Sequence, residues 1–289
     1  MILLDLNQVM ISNIMTQLSP TQTKLEESLI RHMVLNNIRM YKQKYSAEYG
    51  EMVICCDDKN YWRKDIFPYY KAHRKVDREK SPLDWNLIFE CLNKIRDELK
   101  ETFPYKVLQI PRAEADDIIG TLVKRYGVYL NNMTTEKILI ISGDKDFGQL
   151  QKYVNVDQYS PITKKWIKIN DAARFLKEHI MKGDRGDGIP NFLSPNSCIV
   201  MNERQKPLSA KKIEQWIDLD LPQMDTWTLG MVIGYQRNEQ LVDLDKIPKS
   251  IADQVNDAYD NYNVPEKNGL LNYFIKHRLK LLTEHIGEF

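Results

Sequence analysis

An excess of charge of either sign is missing from this chain. Its 289 residues set 41 Lys and Arg against 40 Asp and Glu, a formal net charge of +1. Bulk charge therefore points to no partner, and any nucleic-acid signal has to be local. Cysteine is scarce. Cys55, Cys56, Cys91 and Cys198 form no C-x-x-C pair and no Cys/His zinc spacing, so free thiols in a reducing compartment are expected. No uninterrupted apolar run approaches the ~20 residues of a membrane span. Met1-Ile2-Leu3-Leu4-Asp5 lacks a basic flank and is broken by Asp5, so a signal peptide is not expected. A Gly-rich Walker loop is absent, which argues against nucleotide-triphosphate hydrolysis. No Ser/His/Asp or Cys/His arrangement stands out. His32, His73, His179, His277 and His285 are scattered and are expected to be structural or solvated. There is no internal repeat. The remaining composition, 43% hydrophobic and 28% charged, is that of a soluble globular protein large enough for one large domain or two ordinary ones.

What is there begins with Ile138-Leu139-Ile140-Ile141, four β-friendly apolar residues that stop at Ser142-Gly143. This spacing predicts a buried strand and a turn. Asp144 and Asp146 follow at once. Ligands of open parallel sheets bind beyond the carboxyl ends of the strands. Two carboxylates about 4 Å apart repel by roughly 4 kcal/mol at an effective dielectric near 20, which a hard divalent cation would offset. One such pair is equally compatible with a solvated loop, so the other strands decide. Ile2 to Leu6 reads as a strand with Asp5 at its end. Met52 to Cys56 is a second, followed by Asp57 and Asp58. Tyr105 to Ile110 is a third, broken by Pro111, after which Glu114, Asp116 and Asp117 open a helix running through Val123. First-turn acids suit a helix dipole, but three carboxylates in four residues exceed what capping needs. A 3.6-residue apolar period predicts helices over Thr23 to Tyr45 and Trp85 to Leu99, the latter preceded by Asp84. Asn7 to Gln17 is a further helix candidate. Val154 to Tyr159 and Lys164 to Ile169 read as a short hairpin around Pro161.

Between the second strand and Ser81 the chain turns basic. Lys59 to Lys80 holds eight Lys or Arg against Asp65, Asp77 and Glu79, with Tyr61, Trp62, Phe67, Tyr69 and Tyr70 interleaved. Cations neutralise phosphates and aromatic faces stack bases, so nucleic-acid contact is expected here. Arg74 to Ser81 has almost no apolar content, and mobility without ligand is expected. From Asp171 onward the chain reads as short helices with Gly, Pro and Asn joints, Pro222 among them. Lys182 to Pro190, K-G-D-R-G-D-G-I-P, carries Asp184 and Asp187 on a glycine-rich loop whose amides could approach a phosphate. Lys206, Lys211 and Lys212 flank Ser209, a candidate N-cap. A domain boundary is placed near residue 172.

Four strands thus each deliver acid at their C-terminal ends. Pooled carboxylates without a cation cost stability, and two divalent ions would both relieve that and clamp an in-line displacement at phosphorus. Mg²⁺ fits best, being oxygen-seeking and commonly held by few carboxylates plus substrate phosphate.

In order, LLDL at Asp5, ICCDDKNYWRKD at Asp57, YYKAHRK over Tyr69 to Lys75, EADD over Glu114 to Asp117, ISGDKDF over Ile141 to Phe147 and KGDRGDGIP over Lys182 to Pro190 resemble the flap endonuclease / 5′-nuclease superfamily, most closely its T-even-type bacteriophage ribonuclease H branch. The set covers most of the chain, and the Asn272 to Phe289 end also resembles that branch. The resemblance implies an α/β fold: a mostly parallel central sheet flanked by helices (a PIN-like 5′-nuclease domain, 1–172, with a basic arch at about 61–81). A smaller helical C-terminal domain (173–289) follows, with a helix–three-turn–helix motif at about 180–215. It also implies a Mg²⁺-dependent 5′→3′ exonuclease and flap endonuclease on RNA–DNA and DNA duplexes that removes RNA primers from lagging-strand fragments.

Carried over by position, Asp57, Glu114, Asp116, Asp144 and Asp146 would hold one ion with Asp5 nearby. Asp184 and Asp187 would hold the second, largely through water, and Asp117 matches a further family acid. Lys71 and Arg74 match cations at the scissile phosphate, with Asp144 and Asp146 as the catalytic acids. Tyr70 matches an aromatic that stacks on the terminal base. Arg63, Lys75, Gly183, Gly186, Gly188, Lys211 and Lys212 complete the implied nucleic-acid contacts. Mn²⁺ would substitute for Mg²⁺, and K⁺ is implied in the helix–three-turn–helix loop. There, however, Gly188-Ile189-Pro190-Asn191 stands where many relatives have Asn-Ile-Pro-Gly. A monomer in the host bacterial cytoplasm, working with a single-strand binding protein and a sliding clamp, would suit the implied role. Two rival readings stay open: a PIN-like ribonuclease on single-stranded RNA, and a non-catalytic junction-binding replication scaffold.

Overall fold

A computed structural model describes residues 1–17, 26–129, 136–219 and 227–289. Among them a six-stranded sheet has the order β3-β2-β1-β4-β5-β6. The strands are β1 (Ile2–Asp5), β2 (Met52–Cys56), β3 (Lys106–Gln109), β4 (Ile138–Ile141), β5 (Val156–Ser160) and β6 (Lys165–Ile167). The first five run parallel, and β6 folds back antiparallel on β5. Every residue of β1, β2 and β4 is buried. Layers on both faces explain why these strands read as unbroken apolar runs rather than alternating ones. The chain leaves β1 toward β2 on one side and returns to β4 on the other, with Ile2 registered against both Met52 and Leu139. That reversal of direction between β1 and β4 is the crevice where an α/β sheet accepts ligands.

One face is covered by α1 (Leu6–Gln17), α2 (Glu27–Tyr49) and α5 (Trp85–Thr102). Helix α5 starts where the sequence places it, because Asp84 accepts a 3.0 Å bond from the Leu87 amide, an N-cap that satisfies an orphan donor. Helix α2 runs four residues later than its periodicity predicts, ending at Gly50, whose φ of +83° a side chain would resist. The expected start at Thr23 and Leu25, like the joint at Pro222, lies outside the described residues. The other face is covered by α6 (Ala115–Tyr126) and, from the far end of the chain, α10 (Lys249–Asp260).

Helices α3 (Arg63–Ile66) and α4 (His73–Glu79) make up the basic region, so Arg74 to Glu79 is helical here rather than irregular. Helix α7 (Ala172–Lys182), the loop 183–209 and α8 (Ala210–Trp216) follow, and Ser209 caps α8 by accepting from the Lys212 amide at 3.3 Å. With α9 (Leu229–Val242) they enclose a separate core around Phe192, Trp227 and Tyr235. The chain end does not stay in that helical portion. Helices α11 (Leu270–Lys276) and α12 (Lys280–Thr283) and the terminal Phe289 return to the sheet, where Phe274 and Phe289 pack on Phe103.

Candidate active site

The loop after β4 is held from beneath. Gln158 on β5 is fully buried and donates to the carbonyls of Ser142 at 3.1 Å and Asp144 at 2.6 Å. The Ser142 hydroxyl donates to Asp5 at 3.1 Å and accepts from the Asp144 amide at 3.1 Å. Asp5 is also fixed by the Gln8 amide at 3.0 Å. The two strands flanking the crevice therefore present Asp5 and Asp144 in a locked relation. Asp57 joins from β2, held by Asn7 at 2.8 Å and by the Ala115 amide at 2.7 Å. The latter bond ties it to the first turn of α6, which carries Asp116.

The electrostatics are those of buried carboxylates crowded on one another. Burial, then Asp57, pushes the Asp5 carboxyl up to about 7. Burial, then Asp146, does the same to Asp144. Burial raises Asp57, and burial with Asp144 beside it holds Asp116 well above the carboxylate range. All-oxygen donors in this state fit a hard divalent cation, which would restore every one of these groups to its ionised form.

Opposite them stand cations. Lys71, at φ 55°, lies 2.5 Å from Glu114 and 3.6 Å from Asp187. Arg74 lies 2.7 Å from Asp187. Burial would lower the Lys71 ammonium, but Asp187 and Glu114 outweigh it and hold it well above the usual lysine range. Lys71 is thus a permanent positive charge facing the acids. Lys75, Lys211 and Lys212 are exposed, where they can meet a phosphate backbone.

Several residues do not sit as their motifs suggest. Arg63 is 3% exposed. It bonds the Leu241 carbonyl at 2.9 Å, Glu114 at 2.9 Å and Asp117 at 2.8 Å, so it braces the acids and offers nothing to nucleic acid. Asp117 is fully buried, accepts from the Trp62 indole at 3.0 Å and the Glu114 amide at 2.9 Å, and faces Arg63 rather than a metal. Tyr70 is 2% exposed; its hydroxyl lies 2.9 Å from Glu114 and 2.8 Å from Asp187, so its ring is not a stacking platform. The loop amides are also engaged internally: Gly183 to the His179 carbonyl at 2.8 Å, Gly186 to Asp184 at 2.7 Å and Gly188 to the Arg185 carbonyl at 3.2 Å. Gly183, at φ +66°, would drive a Cβ to 2.4 Å from the Pro190 carbonyl, so it serves the loop's own closure and not a phosphate cradle. Asp184 and Asp187 face different ways. Asp187 turns to Tyr70, Arg74 and Lys71, whereas Asp184 turns to Lys145 at 3.0 Å and His179 at 3.7 Å.

Sequence reasoning passed over Gln158, Ser142, Gln8 and Asn7, whose role is visible only from their partners, and His179, which a helix lying across the site brings within 3.1 Å of Asp146. A groove of about 1080 Å³ leads from Asp57 past Tyr61, Lys71, Arg78, Trp85 and Phe89. Tyr61, Trp85 and Phe89 give it an aromatic lining.

Residues 2–180 match the family model of the 5′–3′ exonuclease N-terminal, resolvase-like domain. The chain belongs to this family. It is a metal-dependent nuclease, and the carboxylates at the strand ends are its candidate metal centre. Residues 175–289 match the T4 RNase H C-terminal model. The ribonuclease H of Enterobacteria phage T4 is 36% identical over 296 residues, covering 99% of this chain and 95% of that protein. A Shewanella oneidensis flap endonuclease, Xni, is 30% identical over 156 residues, covering 50% of this chain and 54% of that protein. Among solved structures, a zinc-bound phage T5 5′-exonuclease superposes with a TM-score of 0.61 at 17% identity, covering 91% of this chain and 99% of that one. A phage T5 flap endonuclease complex with DNA and metal ions gives 0.60 at 17% identity, covering 90% and 97%. These two show that the fold is shared.

Proposed function

We propose that this exonuclease-family chain is a Mg²⁺-dependent 5′→3′ exonuclease and flap endonuclease. It acts on RNA–DNA and DNA duplexes and removes RNA primers from lagging-strand fragments during phage replication in the bacterial cytoplasm. One juxtaposition carries this reading: Asp5, Asp57, Asp116 and Asp144 converge from separate elements, and Lys71 and Arg74 stand against them at the head of a cationic, aromatic groove. Asp5, Asp57, Asp116 and Asp144 would hold an ion through oxygen alone. Bound there, a divalent ion supplies Lewis acidity toward water and the phosphodiester. The chain's own residues do the rest. The groove takes a single 5′ strand, its rings offering stacking and its cations pairing phosphates. Lys71 and Arg74 meet the scissile phosphate and stabilise the charge that develops on its oxygens. Taking up a phosphate in place of Asp187 and Glu114 would release those acids toward the centre. A single-strand binding protein and a sliding clamp are the partners such a role implies.

The test is a 5′-labelled flap and an RNA–DNA primer duplex, each incubated with Mg²⁺ and with chelator. Metal-dependent release of short 5′ products is expected from both. Tight junction binding with no cleavage under any metal would overturn the assignment in favour of a scaffold, and cleavage confined to unpaired RNA would favour a single-strand ribonuclease.

A further inference from the structure

Helix α9 turns one face to the backbone of the glycine-rich loop. Gly234, Arg237 and Asn238 share that face by their helical spacing. At Gly234 a Cβ would meet the Phe192 carbonyl oxygen at 2.0 Å, so glycine is what lets the helix come this close. Asn238 is fully buried and donates to the Ile180 and Pro190 carbonyls at 2.7 and 2.9 Å. Arg237 gives its whole fork to the same region. Its Nη2 donates to the carbonyls of Pro190 at 2.9 Å and Asn191 at 3.3 Å. Its Nη1 donates to the Ser194 carbonyl at 3.4 Å and to Asn196 Oδ1 at 2.6 Å, and its Nε to Asn238 Oδ1 at 2.9 Å.

Every one of those acceptors is neutral. Among the described residues no carboxylate pairs with Arg237, although a carboxylate is the partner that fits a guanidinium fork best. Burial pulls the guanidinium down to about 10, so it stays charged at neutral pH. It lies 5.7 Å from the centre of the Phe67 ring, between α3 and α4. A ring of carbonyls around a lone positive charge is how a protein replaces the hydration shell of a monovalent cation. Here the charge arrives on a side chain.

Further carbonyls of the loop are engaged as well. Asp184 accepts from the amides of Asp187 and Ile189 at 3.2 and 2.7 Å, Arg185 from Gly188 at 3.2 Å and Asp187 from Lys71 at 2.7 Å, and Gly186 accepts from Arg74 Nε at 2.9 Å. Asn191 ends the segment that departs from Asn-Ile-Pro-Gly, and its side chain ties off the turn. It donates to the Lys206 carbonyl at 2.9 Å and accepts from the Leu193 amide at 3.1 Å and the Ser194 hydroxyl at 2.9 Å. The K⁺ implied for this loop would have to share carbonyls with a fixed guanidinium and stand against its charge. The donor set does not fit it.

We infer that Arg237 is the resident cation of the glycine-rich loop, a positioning residue that stands in place of a bound K⁺ and makes duplex binding independent of the monovalent ion. The inference rests on the nuclease reading only for its ligand, duplex DNA.

The experiment uses the full chain, a duplex with a 5′ overhang, and chelator to prevent cleavage. Affinity is read by fluorescence anisotropy in potassium, sodium and tetramethylammonium chloride at one ionic strength. Wild-type affinity is expected to differ by less than about twofold among them, since counterion release is the same in each. Arg237→Ala should bind roughly tenfold more weakly in tetramethylammonium, the loss of hydrogen bonds from a charged group, and added K⁺ or methylguanidinium should recover most of it. A role in packing alone would weaken binding equally in every salt with no recovery, and would overturn the inference. Wild-type binding that requires K⁺, unchanged affinity in Arg237→Ala, or no duplex binding in any salt would overturn it too. Should Arg237→Ala fail to fold, Arg237→Lys keeps the charge, loses the fork and is read the same way, with a gained response to K⁺ or methylguanidinium again required. Flap cleavage with Mg²⁺ is scored separately in K⁺-free buffer. Salt-indifferent binding without cleavage would uphold Arg237 and sink the nuclease reading. Cleavage with K⁺-dependent binding would do the reverse.

Discussion

Gln158 donates its side-chain amide to the main-chain carbonyl of Asp144 at 2.6 Å, from the neighbouring strand and with no exposure to solvent. The bond reaches backbone, so it fixes where the Asp144 carboxylate starts from rather than touching the carboxylate itself. Replacing Gln158 by Leu removes the side-chain donor to the Ser142 and Asp144 carbonyls. A loss of roughly 1–3 kcal/mol of stability is expected, read by urea denaturation. Turnover should fall by more than the unfolded fraction explains, and a variant with wild-type turnover would show that the Asp144 loop holds itself.

Arg63 gives a sharper contrast between structure and binding. It neutralises Glu114 and Asp117 inside the protein. Arg63→Met leaves buried Asp117 without its counter-charge, while Glu114 keeps Lys71 and Tyr70, and a loss of about 3–5 kcal/mol is expected. Intact stability together with weakened DNA affinity would instead make Arg63 a phosphate contact.

Strand stacking is assigned to the groove rather than to Tyr70. Trp85 and Phe89 stand 5.8 Å apart with Arg78 over the Phe89 ring. Trp85→Ala should weaken binding of a single-stranded 5′ overhang by roughly 1–3 kcal/mol, measured by fluorescence anisotropy. Tyr70→Phe keeps the ring and removes the hydroxyl next to Glu114 and Asp187. It should leave overhang affinity unchanged, and the opposite ranking would restore Tyr70 as the stacking residue.

The strand-end acids give the metal-free protein a defined pH response. Asp5 and Asp144 are raised to about 7 in the folded state from an ordinary value near 3.9. The folded state then binds more protons than the unfolded one between those values. Their contribution is fully present below about 4 and is lost as pH rises through about 7. In chelator, Asp144→Asn should therefore melt higher than wild type at pH 8, by roughly 2–4 °C for each kcal/mol relieved, with the difference closing toward pH 4. Saturating Mg²⁺ should raise the wild-type melting temperature most at pH 8 and by less in the variant. Differential scanning fluorimetry across this range checks both, and a pH-independent difference would mean that the acids are not strained.

The sequence by itself determined the strands, their order of appearance and the acids at their ends. Apolar runs, Ser-Gly and Pro punctuation and the Asp84 and Ser209 caps act within a few residues of themselves, so their consequences are written locally. Asp144 could be placed beyond β4 because a buried strand must end before a charge. Only the tertiary structure decided which way the side chains near that edge face. Arg63 and Tyr70 look like neighbours of Lys71 in a basic, aromatic run. They lie inside because α3 folds onto α6, where Glu114 and Asp117 need counter-charges and donors. His179 looks like one of five scattered histidines and is brought to Asp146 because α7 crosses the loop after β4. Charge and aromaticity are properties of a residue. Facing a phosphate, a core or an ion is a property of what packs against it, and those partners come from distant parts of the chain.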